Sequence, residues 1–210
     1  MTDDNVSKTV QVYNVIAAEY TKKNANFAPT KELEKYISLL PSGGTILDAG
    51  CGPGRDCRYF TDHGFRVTGF DLSDEFLKIA RKEAPKATIV KQDLRDVHFS
   101  DGSFDGIWSC TTLLHLDRSD IPNVLARFYK ILKQNGLLFV SMKEGSGEAD
   151  VSEERSSNMP RHYTYFSVSE FKELLKRAGF IVEDIYSWNE KDFHVNGRDI
   201  VLISSFSRKK

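Results

Sequence analysis

The 210-residue sequence holds only 3 cysteines, at positions 51, 57 and 110, and none of them forms a C-x-x-C pair. That scarcity argues against a disulfide framework and against cysteine zinc ligands, and it fits a reducing compartment. Charge of one sign is also missing: 29 Lys and Arg stand against 30 Asp and Glu, a net charge of -1. Such a balance gives no strong electrostatic hold on nucleic acid or anionic lipid, and the basic tail Arg208-Lys-Lys210 is too short to supply one. No apolar run approaches the roughly 20 residues of a membrane span. The start Met1-Thr-Asp-Asp-Asn-Val-Ser-Lys8 lacks a signal-peptide core, so a cytoplasmic protein is expected. His162 and His194 have no metal-like partners at helical spacing, and no metal is expected. A phosphate-binding G-x-x-x-x-G-K-[ST] is absent, and so are internal repeats.

What is present is the composition of a soluble globular domain, 40% hydrophobic and 28% charged, in a length that suits one domain. Strand and helix signals alternate, the mark of an α/β domain around a mostly parallel sheet. Helices are expected over 7–22 and 30–40, the second stopped by Pro41. A strand follows at 45–47, a helix over 54–63, and a strand at 65–70. Ser73 caps a helix carrying Phe76, Leu77 and Ala80 that ends near Pro85. Short strands fall at 87–90 and 104–109. The helix of 120–133 has Ile121, Val124, Leu125, Phe128 and Leu132 on one face and Asn135-Gly136 as its stop. An apolar strand follows at 137–141. Residues 143–166 read as a long polar loop without regular pattern, and such loops are usually functional or disordered. Ser167-x-x-Glu170 opens a last helix as a capping box, and strands at 181–188 and 199–206 finish the chain.

The most informative stretch is Thr45-Ile-Leu-Asp-Ala-Gly-Cys-Gly-Pro-Gly-Arg-Asp56. It reads as a buried strand, an acid at its end, then glycines at 50, 52 and 54 before a helix. Glycine lets bare backbone approach a ligand. The dinucleotide pattern G-x-G-x-x-G wants its third glycine where Arg55 stands, so an ordinary tight turn and a different nucleoside site both remain open at this point. Ligands of open α/β sheets bind beyond the carboxyl ends of the strands. Asp48, Asp71 and Asp93 stand at three successive strand ends, and Asp71 lies 21 residues after Gly50, the spacing of a ribose-binding acid. Three carboxylates in one crevice call for a ligand that donates hydrogen bonds.

On these residues the chain resembles the class I S-adenosylmethionine-dependent methyltransferases. Ile46-Leu-Asp-Ala-Gly-Cys-Gly-Pro-Gly-Arg-Asp56 looks like their first motif, Thr68-Gly-Phe-Asp-Leu-Ser73 like the second and Lys91-Gln-Asp-Leu94 like the third. Phe104–Leu116 and Leu132–Val140 resemble the fourth and fifth. The chain looks closest to small bacterial-type members with a G-x-G-R-D first motif. The resemblance implies a Rossmann-like α/β fold, a seven-stranded mostly parallel sheet with helices on both faces and an antiparallel last strand. It also implies a single domain over 1–210 with residues 1–40 as a helical cap, and S-adenosylmethionine as cofactor. Carried over position by position, Gly50 and Gly52, with Ala49 and Cys51 in the same turn, face the methionine portion. Asp48 lies near its ammonium, Asp71 holds the ribose, and Leu72 and Ser73 lie by the adenosine. Asp93 and Leu94 meet the adenine, Ser109 lies under the methionine end, and Tyr20 closes the pocket. Arg55 either reaches the cofactor carboxylate or pairs with Asp56.

The acceptor side is less defined. His115, just after the fourth strand, is the candidate general base, or else a hydrogen-bonded structural histidine. Arg161-His-Tyr-Thr-Tyr-Phe166 is a second patch, in which Tyr163 and Tyr165 wall an acceptor pocket or anchor the loop. Tyr129-x-x-x-Lys133 has the spacing of a dehydrogenase pair but sits on an amphipathic helix without the dinucleotide glycines. A small-molecule acceptor is the leading reading. A transfer-RNA methyltransferase, a nucleotide-cofactor oxidoreductase and a non-catalytic binding domain are the alternatives, and nothing in the sequence fixes the oligomeric state.

Overall fold

The alternating pattern resolves into nine strands and six helices among the described residues, which are 4–24, 29–192 and 197–210 of a computed structural model. His194 lies outside them. The strands are β1 (Thr45–Ala49), β2 (Arg66–Asp71), β3 (Thr88–Lys91), β4 (Phe104–Cys110), β5 (Leu132–Lys143), β6 (Glu148–Ser152), β7 (Pro160–Thr164), β8 (Phe180–Asn189) and β9 (Val201–Lys209). The helices are α1 (Asn5–Asn24), α2 (Thr30–Ser38), α3 (Arg55–Asp62), α4 (Asp74–Glu83), α5 (Ile121–Ile131) and α6 (Val168–Arg177). Seven strands form one sheet in the order β3-β2-β1-β4-β5-β9-β8, with only β9 antiparallel to its neighbours. This is the Rossmann-like α/β arrangement that the motifs imply. No helix among the described residues is long and apolar enough to cross a membrane.

The two-residue period of the strands sends alternate side chains into separate cores. Leu47, Ile107, Leu138 and Val140 face the layer with Phe128 of α5 and Phe171 of α6. Ile46, Trp108, Leu137 and Phe139 face Leu33 and Tyr36 of α2 and Phe60 of α3. Trp108 and Phe139 stack there with ring centroids 3.9 Å apart. Strands buried on both faces explain why they read as unbroken apolar runs. Helix α1 adds Val6 to the edge of the first core but packs mainly across α4 and β7, over the carboxyl ends of the strands.

Two expectations fail. The helix of 120–133 stops at Ile131, and β5 begins at Leu132 rather than 137. Leu132 already pairs with Phe104, and Asn135, at φ 61°, lies in the irregularity before Leu137 pairs with Gly106. Residues 143–166 are not an irregular loop, since β6 and β7 pair as an antiparallel hairpin from Glu148–Thr164 to Ser152–Pro160. β6 is mostly exposed whereas β7 is mostly buried. An exposed polar strand leaves no hydrophobic alternation to detect.

Candidate active site

The acids at the strand ends converge as expected. A cleft of about 290 Å³ opens beside them, and its lining includes Tyr20, Asp48, Gly50, Cys51, Gly52, Arg55, Asp71, Leu72, Asp93, Leu94 and His115. Ala49, Ser73 and Ser109 do not line it. Ala49 and Ser109 are buried behind the wall, where the Ser109 hydroxyl has no hydrogen-bond partner. Ser73 instead caps α4 by accepting from Phe76 N–H, and it donates to Asn14 of α1 at 2.7 Å.

The Phe70 carbonyl accepts from both Gly50 and Cys51 N–H at 2.8 Å, which folds the turn back on β2. A Cβ on Gly50 would lie 2.0 Å from Thr112 Cγ2, while one on Gly52 would meet nothing within 4 Å, so open space adjoins the backbone there. Gly54, at φ 87°, approaches α4 so closely that a Cβ would stand 2.9 Å from Ala80 Cα. The packing role that the dinucleotide pattern gives its third glycine thus falls to Gly54, one place before Arg55. Left-handed backbone at a non-glycine residue costs about 1–3 kcal/mol. Gly54→Ala is therefore expected to lower the urea midpoint with an unchanged slope, and an unaltered midpoint would refute this packing role.

Asp71 accepts from Gly52 N–H and Ser73 N–H, each at 2.9 Å, and burial pushes its carboxyl above the ordinary value. Asp48 has the Cys57 thiol 3.1 Å away, and burial, then the charge of Asp56, push it upward as well. Of the two options for Arg55, the structure shows the pairing with Asp56, at 2.7 Å, and Asp56 also accepts from Trp108 Nε1–H at 2.9 Å. Asp93 is gripped by Arg95 at 2.7 Å. Buried carboxylates above bare glycine backbone suit a ligand with hydroxyl donors and a cationic end, which is what S-adenosylmethionine offers.

His115 lies in a single 3-10 turn (Leu113–His115) after β4. Its Nδ1 is 2.8 Å from the His162 carbonyl, which only accepts, so Nδ1 carries the hydrogen. Nε2 is left to accept from the Tyr13 hydroxyl at 2.8 Å, and Arg161 Nη1 donates to that hydroxyl at 2.7 Å. Burial, then the Arg161 charge, lower His115 to about 3, while burial pushes the Tyr13 phenol up. His115 is thus a neutral acceptor with a fixed tautomer. The pocket walls expected of Tyr163 and Tyr165 are not seen, since neither lines the cleft. Tyr163 donates to Glu153 at 3.1 Å, and Tyr165 packs beside Gly145.

Three cleft or near-cleft residues escape sequence reasoning in their roles: Tyr13, Arg161 and Arg198. Tyr13 looks like one more apolar position of α1, and Arg161 meets it across 148 residues of chain. Tyr129 and Lys133 are away from the cleft; Tyr129 packs on Phe180 and Lys133 pairs with Asp105 at 2.8 Å. The fold also gathers Asp117, Glu148 and His162 within 4.8 Å, which helical spacing did not foresee. Protein donors already serve the two acids: Asn5 holds Asp117 and Arg118 N–H holds Glu148, both at 2.7 Å.

Known proteins point the same way. A family model described as a methyltransferase domain matches residues 46–136. Phosphoethanolamine N-methyltransferase of Plasmodium falciparum is 25% identical over 216 residues, covering 96% of this chain and 80% of that protein. Malonyl-[acyl-carrier protein] O-methyltransferase of Enterobacter lignolyticus is 28% identical, covering 59% of this chain and 51% of the relative. Across five curated relatives, the Enterobacter protein included, the chain spans between 33% and 59% of the relative's length. Among solved structures, the 1,6-didemethyltoxoflavin-N1-methyltransferase of Burkholderia thailandensis, bound to S-adenosylhomocysteine, superposes with a TM-score of 0.70. At 22% identity, with 96% of this chain and 88% of that one covered, this likeness shows the fold.

Proposed function

We propose that this chain, whose residues 46–136 match a methyltransferase domain model, is a class I S-adenosylmethionine-dependent methyltransferase that methylates a small-molecule acceptor by in-line displacement, with Tyr13 and His115 receiving the acceptor's proton. The observation that carries this reading is the Tyr13–His115 pair lining the same cleft as Asp48 and Asp71. When bound, the cofactor supplies a methyl group already activated on a sulfonium. The protein's task is then to hold two reactants in line. Gly50 and Gly52 would hold the methionine portion, with Asp48 at its ammonium and Asp71 at the ribose hydroxyls. Leu72 would pack on the adenine, and Leu94 and Asp93 would meet its edge, Asp93 sharing its carboxylate with Arg95. Tyr20 closes the cleft from α1.

On the acceptor side, a neutral His115 Nε2 takes the proton through the Tyr13 hydroxyl, while the His162 carbonyl keeps the ring oriented. Burial and Arg161 beside the phenol keep His115 neutral at rest and make it a weak base, so it takes the proton as the forming bond to methyl acidifies the acceptor. The name of one relative, a phosphoethanolamine N-methyltransferase, fits an acceptor that must lose a proton. We read residues 1–210 as one domain of the small G-x-G-R-D type, with the N-terminal helices as its cap, acting in the cytoplasm. The near-neutral charge favours a small acceptor over transfer RNA.

Calorimetric titration tests the cofactor assignment. S-adenosylhomocysteine should bind tightly and NADH should give no heat; the reverse result would overturn it. A screen for transfer of labelled methyl to a metabolite library would then identify the acceptor.

A further inference from the structure

Past the Tyr13–His115 pair, four side-chain donors converge on one carboxylate, Glu153, which also accepts from Ser156 N–H as the cap of a 3-10 turn. Lys143 Nζ lies 2.6 Å from Glu153 Oε1. Glu153 Oε2 accepts from Arg161 Nη2 at 2.7 Å, from the Tyr163 hydroxyl at 3.1 Å and from Arg198 Nη1 at 3.2 Å. Arg198 also pairs with Glu190 at 2.7 Å. Among these side chains three cations face two carboxylates, an excess of one positive charge. Arg161 is only 3% exposed, and its Nε has no hydrogen-bond partner. A buried cation excess with an idle donor is costly unless a further anion arrives.

The donors and the carboxylate sit on different kinds of framework. Lys143 ends β5 of the main sheet, Arg161 and Tyr163 lie on the buried strand β7, and Arg198 stands three residues before β9 begins. Glu153 instead follows β6, a mostly exposed strand that pairs only with β7. The cluster also borders the reaction cleft. Arg198 lines it, and Arg161 donates to Tyr13, which lines it too. A guanidinium pair, an ammonium and a phenol directed at one point form a donor set for a compact oxyanion.

We propose that this cluster receives an oxyanion of the methyl acceptor, a phosphate monoester or a carboxylate, and that Glu153 is an internal stand-in which that oxyanion displaces. The assignment rests on reading the cleft as a methyl-transfer site. It places the acceptor's charged end at Arg161 and Arg198 and its nucleophilic atom toward Tyr13.

The test uses the full chain saturated with S-adenosylhomocysteine and titrated calorimetrically with inorganic phosphate or acetate as the probe. Glu153→Gln removes the competing charge and should bind the matching oxyanion at least about tenfold more tightly than the unmodified protein. Adding Arg198→Gln should abolish that gain. A gain for phosphate alone identifies a phosphate monoester, and a gain for acetate alone identifies a carboxylate. Should Glu153→Gln fail to fold, Arg198→Gln alone should weaken binding of the same probe about tenfold. Intact S-adenosylhomocysteine binding with no change in either probe's affinity would overturn the oxyanion site alone. Loss of S-adenosylhomocysteine binding by the unmodified protein would instead overturn the methyltransferase reading beneath it.

Discussion

Asp71→Ala is expected to weaken S-adenosylhomocysteine binding by at least about 100-fold. Hydrogen bonds to a charged group contribute about 1.5–3 kcal/mol each, and two ribose hydroxyls would donate to this carboxylate. Each 1.4 kcal/mol is about tenfold in affinity. The substitution also frees Gly52 N–H, which Asp71 holds at 2.9 Å, so the turn beneath the ligand loses an anchor. Asp71→Asn keeps part of the acceptor geometry and should fall between the two. Because burial disfavours the Asp71 carboxylate, its removal should not unfold the chain, and the urea midpoint separates a binding loss from collapse. An affinity within about fivefold of the original would show that Asp71 does not hold the ribose.

His115→Ala should lower kcat by about 100-fold, the low end of the usual contribution of a positioned base, because its depressed pKa makes it a weak one. Tyr13→Phe should lower it less, since His115 remains to accept directly. The pH dependence is more diagnostic. Burial and then Arg161 move His115 from 6.5 to about 3. Its protonation therefore imposes no acid limb near pH 6.5 on kcat, only a fall toward pH 3. The same shift acts on stability. Between the two values the unfolded chain binds a proton that the folded chain does not, so this group's contribution to stability is complete above 6.5 and is lost as pH falls toward 3. Thermal melts at pH 5 and 7.5 should show a larger drop for the unmodified protein than for His115→Gln. An equal drop in both would count against the buried neutral histidine.

The proposed donor half of the site is legible in the sequence because it is local. Strand, acid, glycine turn and helix follow each other within twelve residues, and strand alternation with a parallel sheet fixes where the next acids fall. Even there, Gly54 shows that function can survive a displaced consensus position, since what matters is close approach to Ala80. The proposed acceptor half is assembled from residues far apart in sequence. Tyr13 resembles core, Glu153 and Arg198 resemble solvated charges, and the β6–β7 hairpin hides because its exposed strand carries no apolar rhythm. Periodicity reports on burial, so a wall built from buried charges leaves no such trace.

The family match covers 46–136, whereas α1, β7 and the segment before β9 all lie outside it. A chain divided in this way can change its chemistry by inheritance in parts. On the proposed reading, substitutions in the outlying elements would change which molecule is modified and leave the donor-binding block intact. Relatives whose names carry unrelated acceptors can then descend from one ancestor by exchanging the wall and keeping the floor.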